Sequence, residues 1–336
     1  MALGEFELIE RYFRRPAEAR RAARGDVPLG IGDDAAVMAP PAGTHLVAAL
    51  DTLVEGRHFV KGSPPESIAH RALAVNLSDL AAMGADPAWF LLSLTLPDSD
   101  ERFLERFAAG LLQLAELHGV ALVGGDTTAG PLAIAVQALG TIAPDMALTR
   151  GGGRAGDLVY VSGTPGDAAG GLQQVLDPSV AATLDAAHRQ WLWDRFHFPT
   201  PRVQLGRALL GIASACVDVS DGLAADAGRM ARFSGCGLSI DASRLPLSDA
   251  LRAQAGEAGA RRLALTGGED CELCFTVPPE KVPALTAALV NVKCPVTCIG
   301  ELTAEGGVRI HDQGRPLDQD WSGFDHFARE GSSGKT

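Results

Sequence analysis

Residues 29–37 read Leu-Gly-Ile-Gly-Asp-Asp-Ala-Ala-Val and set the hardest constraint on how this chain folds. Two glycines make a short turn, two adjacent carboxylates follow, Asp33 and Asp34, and apolar residues close both sides. Adjacent anions in a tight turn repel each other unless a cation sits between them. The same pattern returns at Asp51, Asp79, Gly124-Gly-Asp126, Asp218-Val-Ser-Asp221 and Gly267-Gly-Glu-Asp270. One acidic glycine turn is only a turn. This many, most of them at the ends of apolar runs, describe a site that holds hard cations, and a fold that gathers distant acids.

The donor set narrows the cation. Asp34, Asp51, Asp79, Asp126, Asp218 and Asp221 offer oxygen only, with no His or Cys close in sequence, which suits Mg2+ or Ca2+. The spacing matches no EF-hand, so Mg2+ is favoured. Any one of these residues has an ordinary reading as a helix cap or turn; that reading is weak for all six. Mg2+ facing glycine turns is the layout of a nucleotide phosphate site, where backbone amides and metal share the negative charge. No Walker lysine is present. The terminal Gly334-Lys-Thr336 is no P-loop, because position 329 is Arg and no helix can follow.

Composition excludes other partners. The net charge is -12, from 29 basic and 41 acidic residues. Nucleic acids and anionic membranes both want a basic surface, so neither is expected as the partner. No apolar run approaches the roughly 20 residues of a spanning helix. The N-terminal segment is rich in Arg but also carries Glu5, Glu7, Glu10 and Glu18, which a transit peptide lacks. It reads as an amphipathic helix with Leu8, Ile9, Tyr12 and Phe13 inward. Six cysteines and no export signal point to reduced thiols in the cytoplasm.

A length of 336 residues favours two domains. Strands are expected at 46–51, 88–96, 120–123 and 132–142, with helices at 63–83 and near 100–118. Ser63, Pro64 and Glu66 look like a helix start and Gly84 its end. Asn76 and Asp79 share a face of that helix, which turns Asp79 into the fold. Residues 1–145 therefore form an α+β domain and 150–328 a second, α/β domain, with 329–336 a disordered tail. In the second domain strands are expected at 159–162, 216–219, 238–241, 271–277 and 296–300. Helices are expected near 166–176, 186–196, 201–214, 222–233 and 280–290.

Rival chemistries fit less well. Gly151-Gly-Gly-Arg-Ala-Gly156 matches G-x-G-x-x-G, yet it precedes an apolar run, whereas a dinucleotide fingerprint follows a strand and opens a helix. Cys271 and Cys274 lie on an expected strand, where positions i and i+3 face opposite ways, so they do not pair with Cys294 and Cys298 as a zinc site. No G-x-S-x-G elbow occurs. His58 follows the strand that ends in Asp51 and carries more interest than the other histidines.

The segments Gly30-Ile-Gly-Asp-Asp34, Asn76-Leu-Ser-Asp-Leu-Ala-Ala-Met-Gly84, Gly124-Gly-Asp-Thr-Thr128, Asp218-Val-Ser-Asp-Gly222, Gly267-Gly-Glu-Asp270 and Trp321-Ser-Gly-Phe-Asp-His326 together resemble the thiamine-monophosphate kinases. The resemblance runs over roughly residues 3–328. That family belongs to an ATP-dependent superfamily with aminoimidazole-ribonucleotide and selenophosphate synthetases. The implied fold is an N-terminal ferredoxin-like α+β domain and a C-terminal α/β domain, dimerised through sheet edges of the first domain with nucleotide at the interface. The implied reaction makes thiamine diphosphate and ADP from thiamine monophosphate and ATP.

By matched position, the six aspartates become ligands for several Mg2+ ions, with Asp126 and Asp218 the catalytic candidates. Gly125, Asp126, Arg150 and Ser220 are implied to meet ATP, and His58, Glu269 and Phe324 the thiamine phosphate. Ala49 and Leu50 stand where the family usually carries hydroxyls, so metal contacts there use backbone carbonyls or are lost. An acceptor phosphate with a second pKa near ~6 is already largely a dianion at pH 7, so no general base is required. The protein's task is to align two polyanions, whose unit charges repel by about 4 kcal/mol at ~4 Å and an effective dielectric of 20. The alternatives are another ATP-dependent synthetase of the superfamily, or a non-catalytic metal- or nucleotide-binding module.

Overall fold

The computed structural model describes residues 4–21, 24–317 and Trp321. Phe324, His326 and the expected tail at 329–336 lie outside the described residues. The N-terminal segment runs through α1 (Glu5–Leu8), a π-helical turn (Ile9–Arg14) and α2 (Arg15–Arg21). Leu8, Tyr12 and Phe13 are buried as their spacing predicts.

The first half follows as β1 (His45–Val54), α3 (Pro65–Ala82), β2 (Asp86–Leu96), α4 (Glu101–Leu117), β3 (Ala121–Ala129) and β4 (Ala133–Ile142). Its sheet has the order β1-β4-β2-β3, with β2 and β3 parallel and the other pairs antiparallel. Helices α3 and α4 cover one face: Leu73, Leu77 and Leu80 share a core with Phe107, Leu111, Phe90, Leu92, Leu94, Ile134 and Val136. A smaller core of Val27, Ala88, Trp89 and Val123 lies on the other face, where Ala36 and Met38 pack down.

Helix α3 organises the molecule. It is buried on nearly every side, because it packs against β1 and β4, against α4, and against the second half through α7 (Val203–Ala208) and β6 (Ala215–Val219). Its start differs from the sequence expectation. Pro64 is the residue before the first turn, the Ser63 hydroxyl donates back to the Val60 carbonyl at 2.7 Å, and Glu66 pairs with Arg106 at 2.6 Å. Its end agrees: Gly84 takes φ +69° and donates to the Ala81 carbonyl at 2.9 Å, a left-handed stop that glycine adopts without strain.

The second half builds a seven-stranded mixed sheet in the order β11-β10-β7-β9-β5-β8-β6. The remaining strands are β5 (Leu158–Ser162), β7 (Gly237–Asp241), β8 (Glu272–Val277), β9 (Val296–Thr303), β10 (Val308–Asp312) and β11 (Arg315–Pro316). Helices α5 (Asp167–Leu176), α6 (Ala186–His197), α8 (Leu223–Phe233), α9 (Asp249–Thr266) and α10 (Val282–Ala288) complete it. Leu273 and Phe275 join the core shared with the first half, while Cys274 faces the core of α8 and α9. Cys271 and Cys274 thus face opposite ways, and the six cysteines are free thiols.

Candidate active site

Three of the six aspartates lie within electrostatic reach of one another where the two halves touch. Asp51 lies on β1 among the alternate positions that turn toward α3. Asp79 sits one turn from the end of α3 and hydrogen-bonds Asp51. Asp218, near the end of β6, arrives from the second half, and the Ser78 hydroxyl donates to its Oδ2 at 3.1 Å. Burial and period thus bring together carboxylates 139 residues apart between Asp79 and Asp218, as the inward reading of Asp79 requires.

Their electrostatics are unresolved by protein charge alone. Burial, then the Asp218 and Asp51 carboxylates, push the Asp79 pKa up to about 8, against the pull of Arg150. The protonated form of Asp79 is thereby favoured, and its carboxyl hydrogen-bonds Asp51. Burial and then Asp226 push Asp218 up to about 6, while Ser78 and Arg150 oppose them. Asp51 is raised by burial, helped by Glu269 and opposed by the hydrogen bond from Asp79 and by His58. Burial and mutual repulsion of crowded carboxylates both favour the protonated form.

The flanking residues are equally ordered. His58 Nδ1 accepts the Val54 N–H at 3.0 Å, so its neutral ring carries the proton on Nε2. Glu269 accepts a hydrogen bond from the buried Arg71, and its own N–H donates to the Ser220 carbonyl at 3.0 Å. Glu269 and Cys271 have φ of +69° and +53°. For residues with a side chain each such conformation is unfavourable by about 1–3 kcal/mol and persists only where neighbours enforce it. Between them Asp270 is fully buried and accepts the N–H groups of Gly166 at 2.6 Å and Ala168 at 2.9 Å, which pins the loop.

Sequence reasoning missed Asp226 and Arg229. Asp226 is buried and accepts the N–H groups of Ser220 at 3.0 Å and Asp221 at 2.9 Å. Arg229 bonds the Asp221 carboxylate at 2.6 Å and Asp226 at 2.9 Å. Asp221 is thus held by an arginine beside the cluster. The available signal was an acid in the first turn of a helix that Gly222 opens.

Asp34, Gly125 and Asp126 lie elsewhere in the chain's own fold. The Gly124–Thr128 segment, expected as a turn beyond a short strand, lies inside β3, where a bulge separates Phe90/Leu122 from Leu91/Gly124 in the ladder. Gly125 passes so close to the Leu92 carbonyl that no β-carbon fits between them. Asp126 pairs with Ser93, on the face away from the buried Leu92 and Leu94. Strands β1 and β3 are the two edges of the sheet. Three strand spacings put Asp51 and Asp126 about 14 Å apart. Asp34 is exposed in the segment whose Ala36 and Met38 pack on that same outer face. Among the described residues no three His, Cys, Asp or Glu side chains already form a metal-ligating group.

Comparison with known proteins gives this geometry a context. Family models described as AIR synthase related protein match the chain over residues 32–142 for the N-terminal domain and 154–313 for the C-terminal domain. The thiamine-monophosphate kinase of Escherichia coli (strain K12) is 48% identical over 330 residues, covering 98% of this chain and 99% of its own. The crystal structure of thiamine-monophosphate kinase from Stenotrophomonas maltophilia K279a superposes with a TM-score of 0.85 at 44% identity, covering 94% and 99% of the two chains. The structure of AaThiL complexed with AMPPCP and TMP gives 0.75 at 33% identity, covering 97% and 99%.

Proposed function

The chain belongs to the thiamine-monophosphate kinase family, and from that premise we infer that it transfers the γ-phosphoryl group of ATP to thiamine monophosphate, giving thiamine diphosphate and ADP. The observation that carries this reading is that Asp51, Asp79 and Asp218 come within electrostatic reach of one another between the halves, with Arg150 close enough to act on two of them. The two sheets separate near 145–150, and we divide the chain there into domains of residues 1–145 and 150–328.

The donor set fits Mg2+. It is all oxygen, and Asp51, Asp79 and Asp218 are screened from solvent at the junction of the two halves. Asp51, Asp79 and Asp218 would hold the ion, which supplies charge neutralisation between donor and acceptor phosphates. Arg150 and Ser220 lie on the nucleotide side of this reading. His58 and Glu269, close to Asp51, lie on the acceptor side. Phe324, the third acceptor residue implied by the resemblance, is outside the described residues. A dianionic acceptor phosphate attacks in line, and the chain contributes alignment and exclusion of water without a covalent enzyme intermediate.

The position of Asp126 follows from a homodimer. Two copies joined edge to edge, β1 of one along β3 of the other, bring Asp51 onto the strand beside the partner's Asp126. Exposed Leu46, Leu50 and Val54 on β1 are apolar enough for such a contact. No helix of the described residues is long and apolar enough to cross a membrane, and we place the enzyme in the cytoplasm. The test is an acceptor panel with ATP and Mg2+. ADP release with thiamine monophosphate supports the reading; release only with other acceptors overturns it.

A further inference from the structure

A buried arginine spans the junction of the two halves beside the cluster. Arg71 lies on α3, its side chain 3% exposed, and it pairs through Nη2 with Glu269 Oε2 across the junction of the two halves. Its guanidinium carbon stands 4.5 Å over the ring of Phe196, so the planar group is fixed from below as well as at its tip. Its Nε is buried without a hydrogen-bond partner. The Glu269 side chain is 38% exposed, held in a left-handed backbone conformation and within electrostatic reach of Asp51.

We propose that Arg71 is a positioning residue for the acceptor: it fixes Glu269 so that Oε1 faces the cationic ring system of the thiamine phosphate. This rests on the assignment of Glu269 to the acceptor side. The chemistry is specific. An unpaired glutamate beside Asp51 would swing freely and repel a dianionic acceptor. A glutamate paired on one oxygen is turned and partly neutralised, and offers its second oxygen to a cation. A purely structural role fits poorly. The arginines that tie Glu272 into the second half satisfy a fully buried carboxylate, whereas Arg71 serves a partly exposed one on a strained loop at the junction of the halves. A stacked planar fork sets direction in a way an ammonium does not.

The experiment measures KM and kcat for both substrates in wild type, R71K, R71M, E269Q and the R71M/E269Q double variant of the full chain. R71M and E269Q are each expected to raise KM for thiamine monophosphate by about tenfold with KM for ATP unchanged. The double variant should be no worse than E269Q alone, because both act through one carboxylate. R71K should recover part of the loss. An E269Q enzyme with normal KM removes the acceptor assignment itself. A raised KM in E269Q with a normal one in R71M leaves that assignment standing and overturns the role of Arg71. If R71M does not fold, R71K decides: a selective rise for thiamine monophosphate supports the proposal, and parallel changes for both substrates overturn it.

Discussion

Asp218 and Glu272 sit on adjacent strands of the second sheet, one register step apart, and both are buried. Glu272 accepts from Arg195 at 2.8 Å, from Arg202 Nε at 2.7 Å and from the Ser162 hydroxyl at 2.5 Å. Although burial acts against its charge, these partners hold its carboxyl below the usual range. Asp218 has one hydroxyl donor, a distant arginine and acidic neighbours, and its pKa is pushed up to about 6. The same residue class at similar depth is finished in one place and unfinished in the other. Burial alone does not mark function here. What marks it is the balance of partners against charge: a buried acid without its counter-charge is waiting for one from outside.

The largest expected difference between the two is in turnover. Asp218→Asn should lower kcat by about 10^2–10^3-fold, a loss typical of removing one electrostatic stabiliser from a reaction site. Its thermal midpoint without metal should stay at or above the wild-type value, because a neutral amide removes the cost of a buried carboxylate charge. Steady-state assays with saturating Mg2+, paired with melting curves, check both halves. A folded Asp218→Asn enzyme with wild-type kcat would break the contrast.

Glu272→Gln should do the reverse. It leaves Arg195 and Arg202 buried without a counter-charge, which typically destabilises by about 3–5 kcal/mol. Denaturant unfolding should show that loss, while kcat per folded molecule stays near the wild-type value. Equal stability of the two proteins would mean the network is not what holds α6 and α7 onto the sheet.

How much of this was legible follows the same division. The acids at the ends of apolar runs were readable, since Asp51 and Asp79 need only a strand period and a helix face to be placed. Glu272 and its arginines were not, because Arg195 and Arg202 are 77 and 70 residues away and nothing local announces the pairing. Helix α9 escaped because Gly256 kinks it, at φ 67° and ψ 170°, and its apolar positions follow no clear stripe. The expected helix at 201–214 stops at Ala208, followed by turns. The bulge that keeps Gly124–Thr128 in β3 depends on register with β2, a non-local fact. The separation of Asp126 from Asp51 is likewise a property of strand order, which spacing along the chain does not contain.

A pH series sharpens the contrast through its sign. Asp79 has a folded pKa raised to about 8, against 3.8 as its ordinary value. The folded state then binds more protons between those limits, so its contribution to stability is greatest in acid and falls as pH rises from about 4 to about 8. For one group the slope is about 1.4 kcal/mol per pH unit. Glu272 runs oppositely: its folded pKa is lowered, so its contribution is present above about 4.5 and is lost as the pH falls through the folded value. Without divalent ions, wild type should therefore lose stability relative to Asp79→Asn between pH 6 and pH 8, and Mg2+ should restore it. Parallel curves for the two proteins would remove the Asp79 proton from the account.

The smallest effect falls on the single hydroxyl that Asp218 does have. Ser78 lies on α3 one residue before Asp79, so its bond to Asp218 spans the two halves and touches both members of the cluster by position. Ser78→Ala removes one hydrogen bond to a carboxylate, a change of about 1.5–3 kcal/mol when the acid is ionised and less while it holds a proton. The bond favours the ionised form, so its loss raises the Asp218 pKa further and makes the acid harder to ionise. More Mg2+ should then be needed for half-maximal activity, by several-fold, with the difference shrinking toward pH 8 where Asp218 is ionised in either protein. A uniform drop at every pH and every Mg2+ concentration would instead mean that Ser78 only braces α3 against β6. The two outcomes separate a residue that tunes the unfinished acid from one that merely packs beside it.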